Sequence, residues 1–189
     1  MMGEWSGSLV GLGERPLASI SGCRLIKNLN YQDGRGVFKK IFPIPNELSM
    51  DDFIVRQVNI SENELAGTVR GLHYQGEPFL ESKLITCIKG SIFDLILDMR
   101  PSSPTFGHIN SYHLTPTSGS LLIPPLIAHG FQSLEDGAVI IYLHSREFDK
   151  VYSRGINVLD PKLDINWPLP ISRISESDTK LPFFSDLVI

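Results

Sequence analysis

The chain has 189 residues, 42% of them hydrophobic and 20% charged, and a formal net charge of −4. That length suits one domain with a sizeable core, and the acidic balance argues against a nucleic-acid binder, which carries a basic footprint. An anionic small molecule remains open, because a few local cations suffice to hold one. No apolar run approaches the ~20 residues of a membrane-spanning helix, and the first residues lack the basic and apolar regions of a signal peptide, so the cytoplasm is the expected compartment. Cys23 and Cys87 have no CxxC spacing, which indicates neither a metal knuckle nor a disulfide framework.

Residues 1–22 are rich in Gly and Ser and read as a mobile or extended N-terminal extension, with residues 23–189 as a single domain. Arg24-Leu25-Ile26 reads as a short strand, Asp33-Gly34-Arg35-Gly36 as a turn, and Val37 to Phe42 as extended. Pro43 to Asp52 is a connection, and Phe53 to Asn59 is β-rich. Val69 to Gln75 alternates as a strand would, with Gly71, His73 and Gln75 on one face and Arg70, Leu72 and Tyr74 on the other. A bulge at Gly71 would turn Arg70 toward His73, since glycine permits the kink. Gly76 to Ser82 is a loop, and Lys83–Ile88 with Ile92–Asp98 form a hairpin around Lys89-Gly90-Ser91. Ile109–Leu114, Ser120–Ile123, Ala128–Leu134 and Ala138–Ser145 continue the β pattern, and Pro161 to Ile189 reads as a C-terminal loop or short helix on the barrel. Helical periodicity is nearly absent, and many short strands between turns indicate an all-β sandwich or barrel.

Most standard chemistries fail on inventory. No H-x-H or H-x-x-x-H pair occurs among the five histidines, so no metal site is expected. There is no G-x-S-x-G elbow, P-loop or dinucleotide fingerprint. What remains is proton transfer on an anionic substrate. Taken singly, each candidate has a plain structural reading. Tyr142 in a β-branched strand is packing, His129 before Gly130 shapes a turn, Asp178 in a polar run is exposed loop, and Arg35 between glycines is solvated.

Taken together, the motifs form one ordered series: RGLHYQ at 70–75, Lys83, SPTFG at 103–107, AHGF at 128–131, Tyr142, DP at 160–161, INWP at 165–168 and SESD at 175–178. This series resembles the dTDP-4-dehydrorhamnose 3,5-epimerase family from about Asp33 to the C-terminus. The resemblance implies a jelly roll (double-stranded β-helix) of the cupin type, no cofactor, and a homodimer that exchanges N-terminal segments. It implies a nucleoside-diphosphate 4-keto-6-deoxyhexose as substrate, with carbon 3, carbon 5 or both inverted through an enolate. By the same resemblance His73 is the base, Asp178 holds its imidazole, Lys83 lies near the keto oxygen and Tyr142 is the acid on the opposite face. Arg70 binds the diphosphate or sugar, and His129 lines the cavity. Arg35, Arg56, Gln57, Asn59 and Ser61 stand where the family builds its nucleotide pocket.

Three positions depart from the family's pattern. Lys40 replaces a usually acidic residue near the pyrimidine, leaving dTDP and CDP both open. Ser177 stands where a basic residue commonly precedes the dyad aspartate, which removes one phosphate contact. Phe148 replaces a second tyrosine of the sugar pocket, which bears on whether one or both centres invert. The competing readings are a ketoisomerase on the same substrate class and a non-catalytic sugar-nucleotide-binding barrel.

Overall fold

A computed structural model describes residues 19–42 and 53–187. The strands run in chain order as β1 (Arg24–Ile26), β2 (Leu29–Asp33), β3 (Gly36–Lys40), β4 (Gln57–Asn63), β5 (Val69–Gln75) and β6 (Lys83–Lys89). They continue as β7 (Ile92–Asp98), β8 (Ile109–Leu114), β9 (Ser120–Ile123), β10 (Ile127–Ser133), β11 (Ala138–His144) and β12 (Ser153–Gly155). Two five-stranded sheets, in the orders β1-β9-β6-β11-β4 and β12-β5-β10-β7-β8, are antiparallel at every pairing. Stacked face to face they make the all-β jelly roll of the cupin type, while β2 and β3, among the described residues, pair only with each other. Among the described residues no helix is long and apolar enough to cross a membrane. The Pro43–Asp52 connection and the first part of the N-terminal extension lie outside the described residues.

Side-chain alternation explains why both sheets are buried on two faces. In β7, Ile92 and Ile96 point between the sheets and meet Ile85 and Cys87 of β6, Phe131 of β10 and Ile140 of β11. The opposite face of the same strand offers Phe93, Leu95 and Leu97 to Val158, Leu163, Trp167 and Phe184 of the C-terminal segment. Each fully buried aliphatic contributes about 1.5–3 kcal/mol, so this layer fastens residues 156–187 firmly to the second sheet. A third cluster, Leu84, Leu122, Leu143 and Ile26, covers the outer face of the first sheet with Phe53.

Two expectations need correction. Lys83–Ile88 and Ile92–Asp98 do not form a hairpin. β6 pairs with β9 and β11, and β7 with β8 and β10, so the Gly90 turn (φ +70°) carries the chain from one sheet to the other. Both strands are largely buried on both faces and each is an interior strand of its own sheet, a long-range outcome that the turn residues do not encode. The β-rich stretch begins at Gln57 and not at Phe53, because pairing with β11 starts at Gln57 opposite His144 and runs to Asn63 opposite Ala138.

Candidate active site

The bulge that glycine permits in β5 is present. His73 faces His129 and Arg70 faces Phe131, so Gly71 and Leu72 together oppose the single Gly130. Strict alternation would have put Arg70 and His73 on opposite faces. The extra residue instead sends Val69 and Leu72 into the core under the C-terminal segment, while Arg70 and His73 both line one cavity. The two strands touch closely at this point. A Cβ on Gly71 (φ +103°) would stand 2.6 Å from the His129 carbonyl, and one on Gly130 2.6 Å from the Arg70 carbonyl. The glycines of RGLHYQ and AHGF therefore belong to one contact.

The cavity occupies about 1310 Å³ between the sheets, above the ~300–1,000 Å³ typical of drug-sized ligands, so it has room for a sugar joined to a nucleotide. His73 enters it from the second sheet and Tyr142 from the first. His73 Nε2–H donates to Asp178 Oδ1 at 2.8 Å, which leaves Nδ1 with its lone pair free to act as a base. Asp178 sits on a single helical turn, α1 (Glu176–Thr179), whose N-cap Ser175 Oγ accepts from Asp178 N–H at 3.0 Å. The S-x-x-D pattern thus caps the turn and presses its aspartate onto β5, where Gly71 N–H donates to Oδ2 at 3.2 Å. Asp178 is buried at 6% exposure, not the surface loop its polar neighbours suggest. Burial pushes its carboxyl up, but the His73 hydrogen bond and charge, with Gly71 N–H, outweigh this and hold it below the usual carboxylate value.

Tyr142 OH shares a 3.0 Å hydrogen bond with Ser61 Oγ. Burial, aided by the nearby Asp94 charge and only partly offset by Ser61 and Arg70, pushes the phenol well above its ordinary value. It is a proton-bearing donor at neutral pH. Ser61 therefore serves Tyr142 in this structure, a contact the sequence did not reveal. Lys83 is buried, donates to the His73 carbonyl at 3.0 Å and pairs with Glu81 at 3.1 Å. Glu81 also takes His144 Nδ1 at 3.0 Å, and His144 stacks on Tyr142 with ring centroids 6.1 Å apart. Burial raises the Glu81 carboxyl, yet His144 and Lys83 together hold it below its usual value, so it stays ionised.

His129 lines the cavity and shares a 2.7 Å hydrogen bond with Asp94 Oδ2. Burial pushes the Asp94 carboxyl up, and its Oδ1 has no partner among the described residues. Gln57, Asn59, Ser61 and Phe148 also line the cavity, and Phe148 N–H donates to Gln57 Oε1 at 2.8 Å. Arg35 and Arg56 do not. Arg35 lies in the β2–β3 turn, paired with Asp33 at 2.6 Å, and Arg56 is exposed one residue before β4 begins. Lys40, on β3, is likewise exposed and outside the cavity. Glu81, His144 and Asp94 carried no local motif, because the Glu81–His144 and Asp94–His129 contacts join segments 63 and 35 residues apart in sequence. Among the described residues no group of three or more His, Cys, Asp or Glu is placed to hold a metal.

The profile of the dTDP-4-dehydrorhamnose 3,5-epimerase family matches residues 18–186. This chain belongs to that family. It is 36% identical over 174 residues to dTDP-4-dehydrorhamnose 3,5-epimerase of Sinorhizobium fredii, covering 90% of this chain and 89% of that one. It is 33% identical to dTDP-4-dehydrorhamnose 3-epimerase of Streptomyces niveus, over 87% of this chain and 80% of that one. A solved dTDP-4-dehydrorhamnose 3,5-epimerase from Bacillus anthracis, with TDP and PPi bound, superposes with a TM-score of 0.81 at 30% identity, covering 88% and 96% of the two chains. The matched stretch, residues 18–186, takes in every strand of both five-stranded sheets and every residue that lines the cavity.

Proposed function

We propose that this protein is a nucleotide-sugar epimerase that inverts carbon 3, carbon 5 or both of a nucleoside-diphosphate 4-keto-6-deoxyhexose. The observation that carries the reading is the pairing of a carboxylate-held imidazole on one wall with a protonated phenol on the facing wall. His73 Nδ1 takes the proton alpha to the ketone, and the buried Asp178 carboxylate stabilises the imidazolium that forms. Lys83, with one ammonium N–H beyond its two contacts, sits where it stabilises the enolate oxygen. Tyr142 then protonates the opposite face, and Ser61 Oγ offers a route to renew the phenol's proton.

A homodimer is part of the same proposal. Tyr31, Val37 and Phe38 on the β2–β3 hairpin, with Val58 and Ile60 on β4, are all more than half exposed, an apolar surface that a second copy would cover. Exchange of hairpins would carry Arg35 toward a partner's cavity, in keeping with its position outside its own.

Incubation with dTDP- and CDP-linked 4-keto-6-deoxy sugars in deuterated water tests the reading. Deuterium at carbon 3 or 5 with inverted configuration is expected. Movement of the carbonyl would establish the ketoisomerase instead, and absence of exchange with every sugar would leave only a binding barrel.

A further inference from the structure

In a chain of net charge −4, the cavity wall is locally positive. It carries Arg70, Lys83, Lys150, Arg154 and Arg173 against two carboxylates, Glu81 and Asp178. Both carboxylates are already engaged, Glu81 with Lys83 and Asp178 with His73. Arg154 turns its guanidinium onto the carbonyls of Val151 and Ser153 at 2.8 and 2.9 Å. Arg70 commits its Nε to Asn63 Oδ1 at 2.9 Å and keeps its terminal amino groups. Arg173 makes no side-chain hydrogen bond or ion pair among the described residues.

Backbone contacts fix where Arg173 stands. Ser172 N–H donates to the Gly67 carbonyl at 3.0 Å and Val69 N–H to the Arg173 carbonyl at 2.8 Å. Arg173 thereby pairs in parallel with Thr68. Paired residues of adjacent extended segments project to the same face, and Thr68 shares its face with Arg70 two residues on. All three line the cavity. Lys150 lies at the other end of β5, where Asp149 N–H meets Gln75 Oε1. Among the described residues neither Arg70 nor Arg173 pairs with a carboxylate, and both line the cavity at the Thr68 end of β5. A planar guanidinium fork fits phosphate oxygens bidentately, in a way that a lone ammonium does not.

We propose that Arg173 forms, with Arg70, the clamp for the substrate's diphosphate, in a cavity where Ser177 carries no charge. Ser177 lines the same cavity, and its Oγ meets Ser175 Oγ at 2.9 Å. A neutral hydroxyl there offers a diphosphate no counter-charge, and Arg173 supplies one from the segment that leads into α1. The inference rests on the nucleotide-sugar reading above and names a residue of that same site.

Equilibrium binding of dTDP, with CDP and UDP as alternatives, tests it on the full chain. Arg173→Gln should weaken diphosphate binding about tenfold, the lower end for a charge-assisted hydrogen bond at an exposed position. Adding Ser177→Lys to that variant should restore most of the loss. Arg173→Lys, which keeps the charge and loses the fork, should fall between the two. Binding within about twofold of the unmodified protein in Arg173→Gln would overturn the assignment. Failure of the unmodified protein to bind any of the three diphosphates would overturn the functional reading itself, and this inference with it.

Discussion

Replacing Asp178 by Asn tests how the base is held. The carboxylate accepts from His73 Nε2 at 2.8 Å and from Gly71 N–H at 3.2 Å. An asparagine has one oxygen for those two donors. If that oxygen stays on Gly71, the amide NH₂ faces Nε2, the ring proton moves to Nδ1, and the lone pair that should take the substrate proton is gone. If it stays on His73, the tautomer survives but the imidazolium loses its counter-charge. A hydrogen bond to a charged group contributes about 1.5–3 kcal/mol, or roughly 10- to 150-fold in rate. The His73 side chain is 45% exposed, so solvent screening favours the lower half of that range for the charge alone. Loss of the tautomer adds to it, and a fall of about 100-fold in kcat is expected with little change in KM. The assay is deuterium exchange at the carbons alpha to the ketone, with thermal melting to show that the variant is folded. Exchange within about threefold of the unmodified rate would refute the role given to Asp178.

Lys83→Met should slow proton abstraction by about 100-fold or more while changing binding much less, since the ammonium matters most as the oxyanion develops. A change in KM alone, measured by steady-state kinetics, would make Lys83 a binding residue. Phe148 lines the cavity without a hydroxyl, so product formed in deuterated water should be mostly singly labelled early in the reaction. Phe148→Tyr should speed the second labelling by a few-fold to about tenfold, the reach of one neutral hydrogen bond, and mass spectrometry counts the labels. Asp98 tests acid stability. Burial raises its carboxyl, but bonds from Arg100, Ser103 and Thr105 outweigh this and depress it well below the ordinary value. Its contribution is therefore complete above about pH 4, the unfolded value, and is lost as pH falls further toward the folded one. Asp98→Asn should be less stable than the unmodified protein at pH 7, and its melting temperature should fall less between pH 5 and pH 3.

The strands were legible where local pattern decides them. Ile109–Leu114 and Ser120–Ile123 match β8 and β9 to the residue, and Ala138–Ser145 runs one residue past β11. Pairing was not legible, because partner choice for β6 and β7 depends on two-sided burial across the whole barrel. The site followed the same division. Motif order nominates His73, Lys83, Tyr142 and Asp178, and all four line one cavity. Glu81 and His144 were missed because they stand 63 residues apart in sequence and meet only when β11 pairs with β6. Arg173 was missed for a similar reason: its place beside Arg70 is set by a backbone bridge to Thr68.

Separate removal of the two proton-transfer groups tests the central claim most directly. In deuterated water with a 4-keto-6-deoxy sugar nucleotide, Tyr142→Phe should still let His73 remove and return a proton on one face. The recovered substrate should gain deuterium with its configuration retained, and epimer should form at least about 100-fold more slowly. His73→Ala should show neither exchange nor inversion. Epimer formed at near-normal rate by either variant would contradict transfer between an imidazole and a phenol on opposite walls.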